Sequence, residues 1–156
     1  MSKKLKICID FDGTCVAHEF PKVGENIGSI PILKKLVEKG HKLILFTMRS
    51  NSEIIGSVLD DAVNWFKKNN IPLYGIQFDP EQDKWTTSPK AYGNLYIDDA
   101  ALGTPLLQKF KSIHGGETIF SCCLEHIGTK QIKELIGKPY VNWEKIEVLL
   151  KERNIL

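Results

Sequence analysis

Long apolar runs are missing from this 156-residue chain, and no stretch approaches the length needed to cross a bilayer. The start, Met1-Ser2-Lys3-Lys4, leads into a short strand-like run rather than the apolar core of a signal peptide. Strong charge is missing too. A formal net charge of +2 is too weak to argue for nucleic acid or a membrane surface. Cysteine is sparse and poorly spaced for a framework: Cys8, Cys15 and the adjacent pair Cys122-Cys123, with no Cys-x-x-Cys. Free thiols in a reducing cytoplasm are the expected state. A zinc set of His114, Cys122, Cys123 and His126 is the weaker reading, and buried small residues the preferred one. Repeats and low-complexity segments are absent. Apolar residues at 42% and charged residues at 26% are ordinary for one globular domain, taken as residues 1–156.

Against this plain background, Asp10-Phe11-Asp12-Gly13-Thr14 is the informative segment. Leu5, Ile7, Cys8 and Ile9 lead into it as a buried strand. Residues i and i+2 of a strand point the same way, so both carboxylates project off one sheet end toward one volume. Two such charges are costly without a cation or a shared proton. A divalent metal and acid–base work are the chemistry this suggests. An acidic turn that merely stops a strand is the plainer alternative.

The rest of the chain alternates strand and helix. Ser29 and Pro31 open a helix with Ile32, Leu33, Leu36 and Val37 on one stripe, stopped by Gly40. Lys42 to Thr47 reads as a second strand. Ser50-Asn51-Ser52-Glu53 fits a capping box for a helix whose apolar stripe runs from Ile54 to Phe66 and which Asn69-Asn70 end. Leu73–Phe78 and Gly93–Ile97 read as the third and fourth strands. This order predicts an α/β fold: one Rossmann-like domain, a mostly parallel sheet and helices on both faces. Further on, Thr104-Pro105 suggests a helix through Phe110, Glu117 to Leu124 a fifth strand, and Asn142 the cap of a final helix through Lys151.

Ligands of open α/β sheets bind outside the carboxyl ends of the strands. Those ends carry Asp10 and Asp12, then Thr47 with Arg49 nearby, then Asp98 and Asp99, with Lys90 upstream. Carboxylates suit Mg²⁺, a hydroxyl and cations suit phosphate oxygens, and a carboxylate can attack phosphorus. Each residue has an ordinary explanation alone: a strand-end Thr, a solvated Lys, a surface ion pair for Arg49, a helix cap at Asp98-Asp99.

Taken together, these segments resemble the haloacid dehalogenase superfamily of phosphatases from about Lys4 to Leu102. The strand and DxDGT match at Asp10 to Thr14, the strand ending in Thr at Leu43 to Thr47, the upstream basic residue at Lys90, and the acidic pair at Tyr96-Ile97-Asp98-Asp99. The resemblance implies an aspartyl-phosphate on Asp10 and acid–base catalysis by Asp12. It implies phosphate binding by Thr47 and Lys90, to which Arg49 is added. It also implies Mg²⁺ held by Asp10, the carbonyl of Asp12, and Asp98 or Asp99. The spacings after the first and second motifs leave no room for a cap domain, so the resemblance is to the capless branch. Loops, a neighbouring subunit or a large substrate would then cover the site. The segment Ala17 to Asn26, with His18, Glu19 and Lys22, and the loop with Lys84 and Trp85 are the candidate covers. Trp85 is read first as a loop anchor and second as a stacking platform.

The expected partner is a phosphorylated substrate, small or macromolecular, with a homo-oligomer possible. The alternatives are a receiver-like phosphoacceptor module and a catalytically idle binding protein. Receivers carry their acidic pair before the phosphorylated Asp and their Lys near the end, an order this chain does not have.

Overall fold

Ile7, Cys8 and Ile9 are apolar on both sides of an extended chain, so the strand they form must be covered on both faces. The computed structural model describes residues 3–121 and 132–156. In it β1 (Lys6–Ile9) lies between β2 (Lys42–Leu45) and β4 (Leu95–Ile97), with β3 (Gly75–Ile76) outside β2. All pairings are parallel, and Cys8 stands opposite both Ile44 and Tyr96. The chain is therefore an α/β protein built on a parallel sheet, and the described residues between β1 and β4 form no cap domain.

The two faces are covered differently. Ile7, Ile9, Leu43 and Leu45 pack with Leu33 and Leu36 of α1 (Ser29–Glu38), Phe66 of α2 (Val58–Lys68) and Trp143 of α3 (Trp143–Glu152). Cys8 and Ile44 face the other way, toward Ala91, Phe46 and Tyr74. Helices on both faces were expected, but the described helices share one face. Topology explains this: β1 to β2 to β3 steps in one direction, so right-handed crossovers place α1 and α2 on the same side. The return to β4 crosses the opposite face as irregular chain holding only the 3₁₀ turn Gln82–Lys84. Buried Gln82 organises that crossing. Its Oε1 accepts from Asp79 N and Tyr92 N, and its Nε2 donates to Ser88 O and Lys90 O.

Three boundaries differ from the sequence reading. Helix α2 starts at Val58, not at the capping box. Gly56 takes a φ of +82°, which closes a separate turn with Ser52 and interrupts helical geometry. Asn51 still caps α2 from a distance, accepting from Leu59 N and Asp60 N. The third strand pairs only at Gly75–Ile76, because Gln77 turns to a positive φ of 66°. The helix expected from Thr104 to Phe110 is instead β5 (Leu106–Ser112). Its burial alternates, with Gln108 and Phe110 inward, a period of two.

Strand β5 forms an antiparallel sheet with β6 (Glu117–Ser121) and β7 (Ile132–Val141). The expected fifth strand is present to Ser121, and its residues 122–124 lie outside the described residues. The zinc set is likewise outside them, apart from His114. Asn142 caps α3 as expected, accepting from Lys145 N. Among the described residues no helix is long and apolar enough to cross a membrane.

Candidate metal and phosphate site

The turn after β1 builds the site. Asp10 N donates to Ile97 O, so β1 and β4 stay paired up to the first carboxylate. Phe11 then dives into the core beneath α2, its ring against Trp65 and Phe66. Gly13 reverses the chain at φ +81°. A side chain there would collide with His18 Nε2 and crowd Asp99 Oδ2 at 2.8 Å. Thr14 follows, fully buried; its Oγ1 accepts from Asp99 N at 3.0 Å and lies 3.4 Å from Asp10 Oδ2.

Asp10, Asp98 and Asp99 come together, with one carboxylate oxygen of each within 4.8 Å of the others. Asp98 is held by a turn of its own, its Oδ1 accepting from Ala100 N at 2.8 Å and its carbonyl from Thr104 Oγ1. Burial pushes the Asp10 carboxyl up to about 7, and the charges of Asp98, Asp99 and Asp12 add to the rise. The backbone N–H of Phe11 works in the opposite direction. An all-oxygen, like-charged set of this kind fits a hard divalent cation such as Mg²⁺, which neutralises the repulsion.

Asp12 is held apart from this cluster. Both its oxygens accept from Arg49, Oδ2 from Nε and Oδ1 from Nη2, each at 2.7 Å. The remaining Arg49 donors go to the carbonyls of Pro21, Lys22 and Val58. A guanidinium has five N–H donors, and here all of them are used. Arg49 is 1% exposed and lies over the Phe11 and Phe20 rings. Arg49, expected to bind phosphate, has its donors taken here: it clasps Asp12 and ties down the 17–26 segment.

Thr47 lies two residues past the end of β2, which stops at Leu45 rather than running to Thr47. Its Oγ1 accepts from Arg49 N at 3.2 Å, and its backbone is gripped by the Gln77 side chain. Lys90 is exposed and its Nζ lies 5.3 Å from the Tyr96 ring centroid, away from any carboxylate in ion-pair range among the described residues. The geometry thus gathers Asp10, Asp98 and Asp99, holds Asp12 against Arg49, sets Thr47 beyond the end of β2, and leaves Lys90 outside the cluster.

Two contributors escaped the sequence reading. His18 was placed in a covering loop, yet its Nε2 meets Asp99 Oδ2 at 2.8 Å. Nothing in its spacing shows this, because the contact depends on the Gly13 reversal. The second is the C-terminal support. Val141 N donates to Gly13 O, and Trp143 Nε1 donates to Thr14 O at 2.7 Å. Cys15, next to the turn, is buried and its thiol is pushed well up by burial, which leaves it unreactive.

No protein-family model and no curated protein matches this chain. A solved structure, described as that of a conserved protein coded by a locus from Bacteroides thetaiotaomicron, is similar to it. The identity is 34%, the match covers 65% of this chain and 80% of the other, and the TM-score is 0.57. At that identity and coverage the two chains belong to one family, and that description names no activity for it.

Proposed function

We propose that this chain is a Mg²⁺-dependent phosphatase of the haloacid dehalogenase type, hydrolysing a phosphate monoester through an aspartyl-phosphate. The observation that carries the reading is the meeting of Asp10, Asp98 and Asp99 within 4.8 Å at the carboxyl edge of a parallel sheet. Asp10, Asp98 and Asp99, with the Asp12 carbonyl, would hold Mg²⁺. When bound, it offsets the repulsion between the Asp10 carboxylate and a phosphate dianion.

Asp10 is the nucleophile. Its carboxylate oxygen bonds to phosphorus as the bond from phosphorus to the leaving oxygen breaks. Asp12 gives that oxygen a proton. In the second half Asp12 takes a proton from water, the water oxygen bonds to phosphorus, and the bond from phosphorus to Asp10 breaks. Both oxygens of Asp12 are engaged by Arg49, so carrying a proton requires one of those bonds to open. The Thr47 hydroxyl accepts from Arg49 N, which leaves its own proton for a phosphate oxygen. Lys90 swings from the Tyr96 ring to the phosphoryl group and stabilises the charge spread over its oxygens. A reducing compartment suits the free, buried thiols of Cys8 and Cys15.

The test is Mg²⁺-dependent release of phosphate from p-nitrophenyl phosphate, with Asp10→Asn as the blank. Release that needs Mg²⁺ and vanishes in the variant is expected. Equal release by the variant overturns the mechanism.

A further inference from the structure

Glu19 to Val23 stand exposed at the tip of the 17–26 segment, whereas His18 turns inward to the carboxylates. The chemistry above leaves this imidazole unused. Its side chain is 21% exposed and that of Asp99 18%, so the pair lies mostly out of water. Gly13 makes the room: a side chain there would occupy the space through which the ring reaches Asp99.

The two oxygens of Asp99 face different ways. Oδ2 meets His18 Nε2 at 2.8 Å. Oδ1 lies 3.5 Å from Thr14 Oγ1, which is also 3.4 Å from Asp10 Oδ2. Oδ1 is therefore the oxygen on the side of Asp10. A carboxylate only accepts hydrogen bonds, so Nε2 carries the proton of the His18 contact. The bond from Asp99 N to Thr14 Oγ1 fixes the backbone but not the rotation of the carboxylate, a torsion with broad minima. The Thr14 contact with Oδ1 is long, and the short bond from His18 is the restraint that sets which oxygen faces Asp10.

The segment that carries His18 is itself held. Val16 pairs with Asn26, and Ala17 N donates to Glu25 O at 2.9 Å, which closes its neck. Arg49 grips its tip through the carbonyls of Pro21 and Lys22 while clasping Asp12. The segment thus meets the site at two points, directly at Asp99 and through Arg49 at Asp12.

We propose that His18 is a positioning residue. Its Nε2–H holds Asp99 so that Oδ1 faces Asp10, and so presents that oxygen to a divalent cation. The same bond couples cation binding to the seating of the 17–26 segment, and the coupling runs both ways. A cation that fixes Asp99 steadies the acceptor of His18 and with it the segment. A seated segment steadies Asp99 for the cation. The inference rests on the metal half of the phosphatase reading, and its test needs no turnover.

Calorimetric titration of the full chain with Mg²⁺ alone compares the native protein, His18→Ala and His18→Gln. The alanine variant binds Mg²⁺ about tenfold more weakly, in the range found for groups that orient metal ligands. Glutamine offers an N–H at similar reach and regains most of that loss. Hydrogen exchange of the 17–26 amides is the second readout. Saturating Mg²⁺ slows it in the native and His18→Gln chains and leaves it unchanged in His18→Ala. Thermal melts confirm that both variants are folded. Equal affinity in all three proteins, the same loss in both variants, or protection of the segment by Mg²⁺ that His18→Ala does not alter overturns the proposal. A native chain that binds no Mg²⁺ overturns both this role and the metal half of the phosphatase reading. Mg²⁺ binding that depends on His18, without phosphate release by the native chain, leaves His18 in its role and removes the phosphatase. Phosphate release with a Mg²⁺ affinity indifferent to His18 does the reverse.

Discussion

The two faces of the parallel sheet were made to different specifications. On the helix side, Phe11, Leu33, Leu36, Leu45 and Phe66 are fully buried in one large apolar cluster. On the other side, the buried apolar cluster among the described residues is Cys8, Ile44 and Ala91, and aromatic rings stand partly in water. Strand alternation connects the two. Each inward residue on β1 (Ile7, Ile9) is followed by one that faces the irregular crossing (Cys8, Asp10). One face holds the strands rigid, and the other is left free to carry charge and openings. The lesson is that a short parallel sheet can separate stability from chemistry by one-residue steps.

The largest expected effect tests that division. Phe66→Ala removes a ring from the helix side and costs about 3–5 kcal/mol, while Tyr92→Ala on the open side costs under about 0.5 kcal/mol, both read by urea denaturation. Similar costs would break the comparison.

The next effect concerns the charged end of the open face. The Asp10 carboxyl rises from 3.8 to about 7 in the folded protein. Between those values the folded state binds more protons than the unfolded, so metal-free stability falls as pH climbs from about 4 to about 7 and is level above. Asp10→Asn removes that slope and stabilises the metal-free protein at pH 8 by up to about 4 kcal/mol. Saturating Mg²⁺ narrows the gap. A variant less stable than the native chain at pH 8 would contradict the crowding of the three carboxylates.

Arg49→Lys sharpens the boundary between the faces. One ammonium replaces a two-point clasp and leaves buried carbonyls unmet, at a cost of about 2 kcal/mol. Asp12 loses its fixed orientation, so kcat falls more than KM rises. The smallest effect is on the helix side again. Trp143→Phe keeps the packing but drops the bond to Thr14 O, costing about 1 kcal/mol and weakening Mg²⁺ binding, as calorimetry would read.

Much of this was legible in the residues themselves. Ile7 to Ile9 and Leu95 to Ile97 announced strands, and the acidic residues at their ends announced the cluster. What was not legible depends on long-range contact. Leu106 to Phe110 has an apolar content that suits a helix or a strand. Only pairing with β6 and β7, and the Gln108 bonds to Ile136 and Gly137 carbonyls, decides for the strand. Arg49 looked like a phosphate ligand because it follows Thr47 by two residues. That its donors would meet Asp12 and two carbonyls of the 17–26 segment requires the loops to be already folded. His18 is of the same kind.

The bond from Trp143 to the Asp10–Thr14 turn joins residues 129 positions apart. During synthesis the first strand and its aspartates leave the ribosome early, at about 5–20 residues per second, but the brace on their turn arrives only once Trp143 itself has been translated. The nascent chain therefore carries Asp10 and Asp12 for seconds without the support that shapes their turn, and the turn is braced long after its own residues have been made.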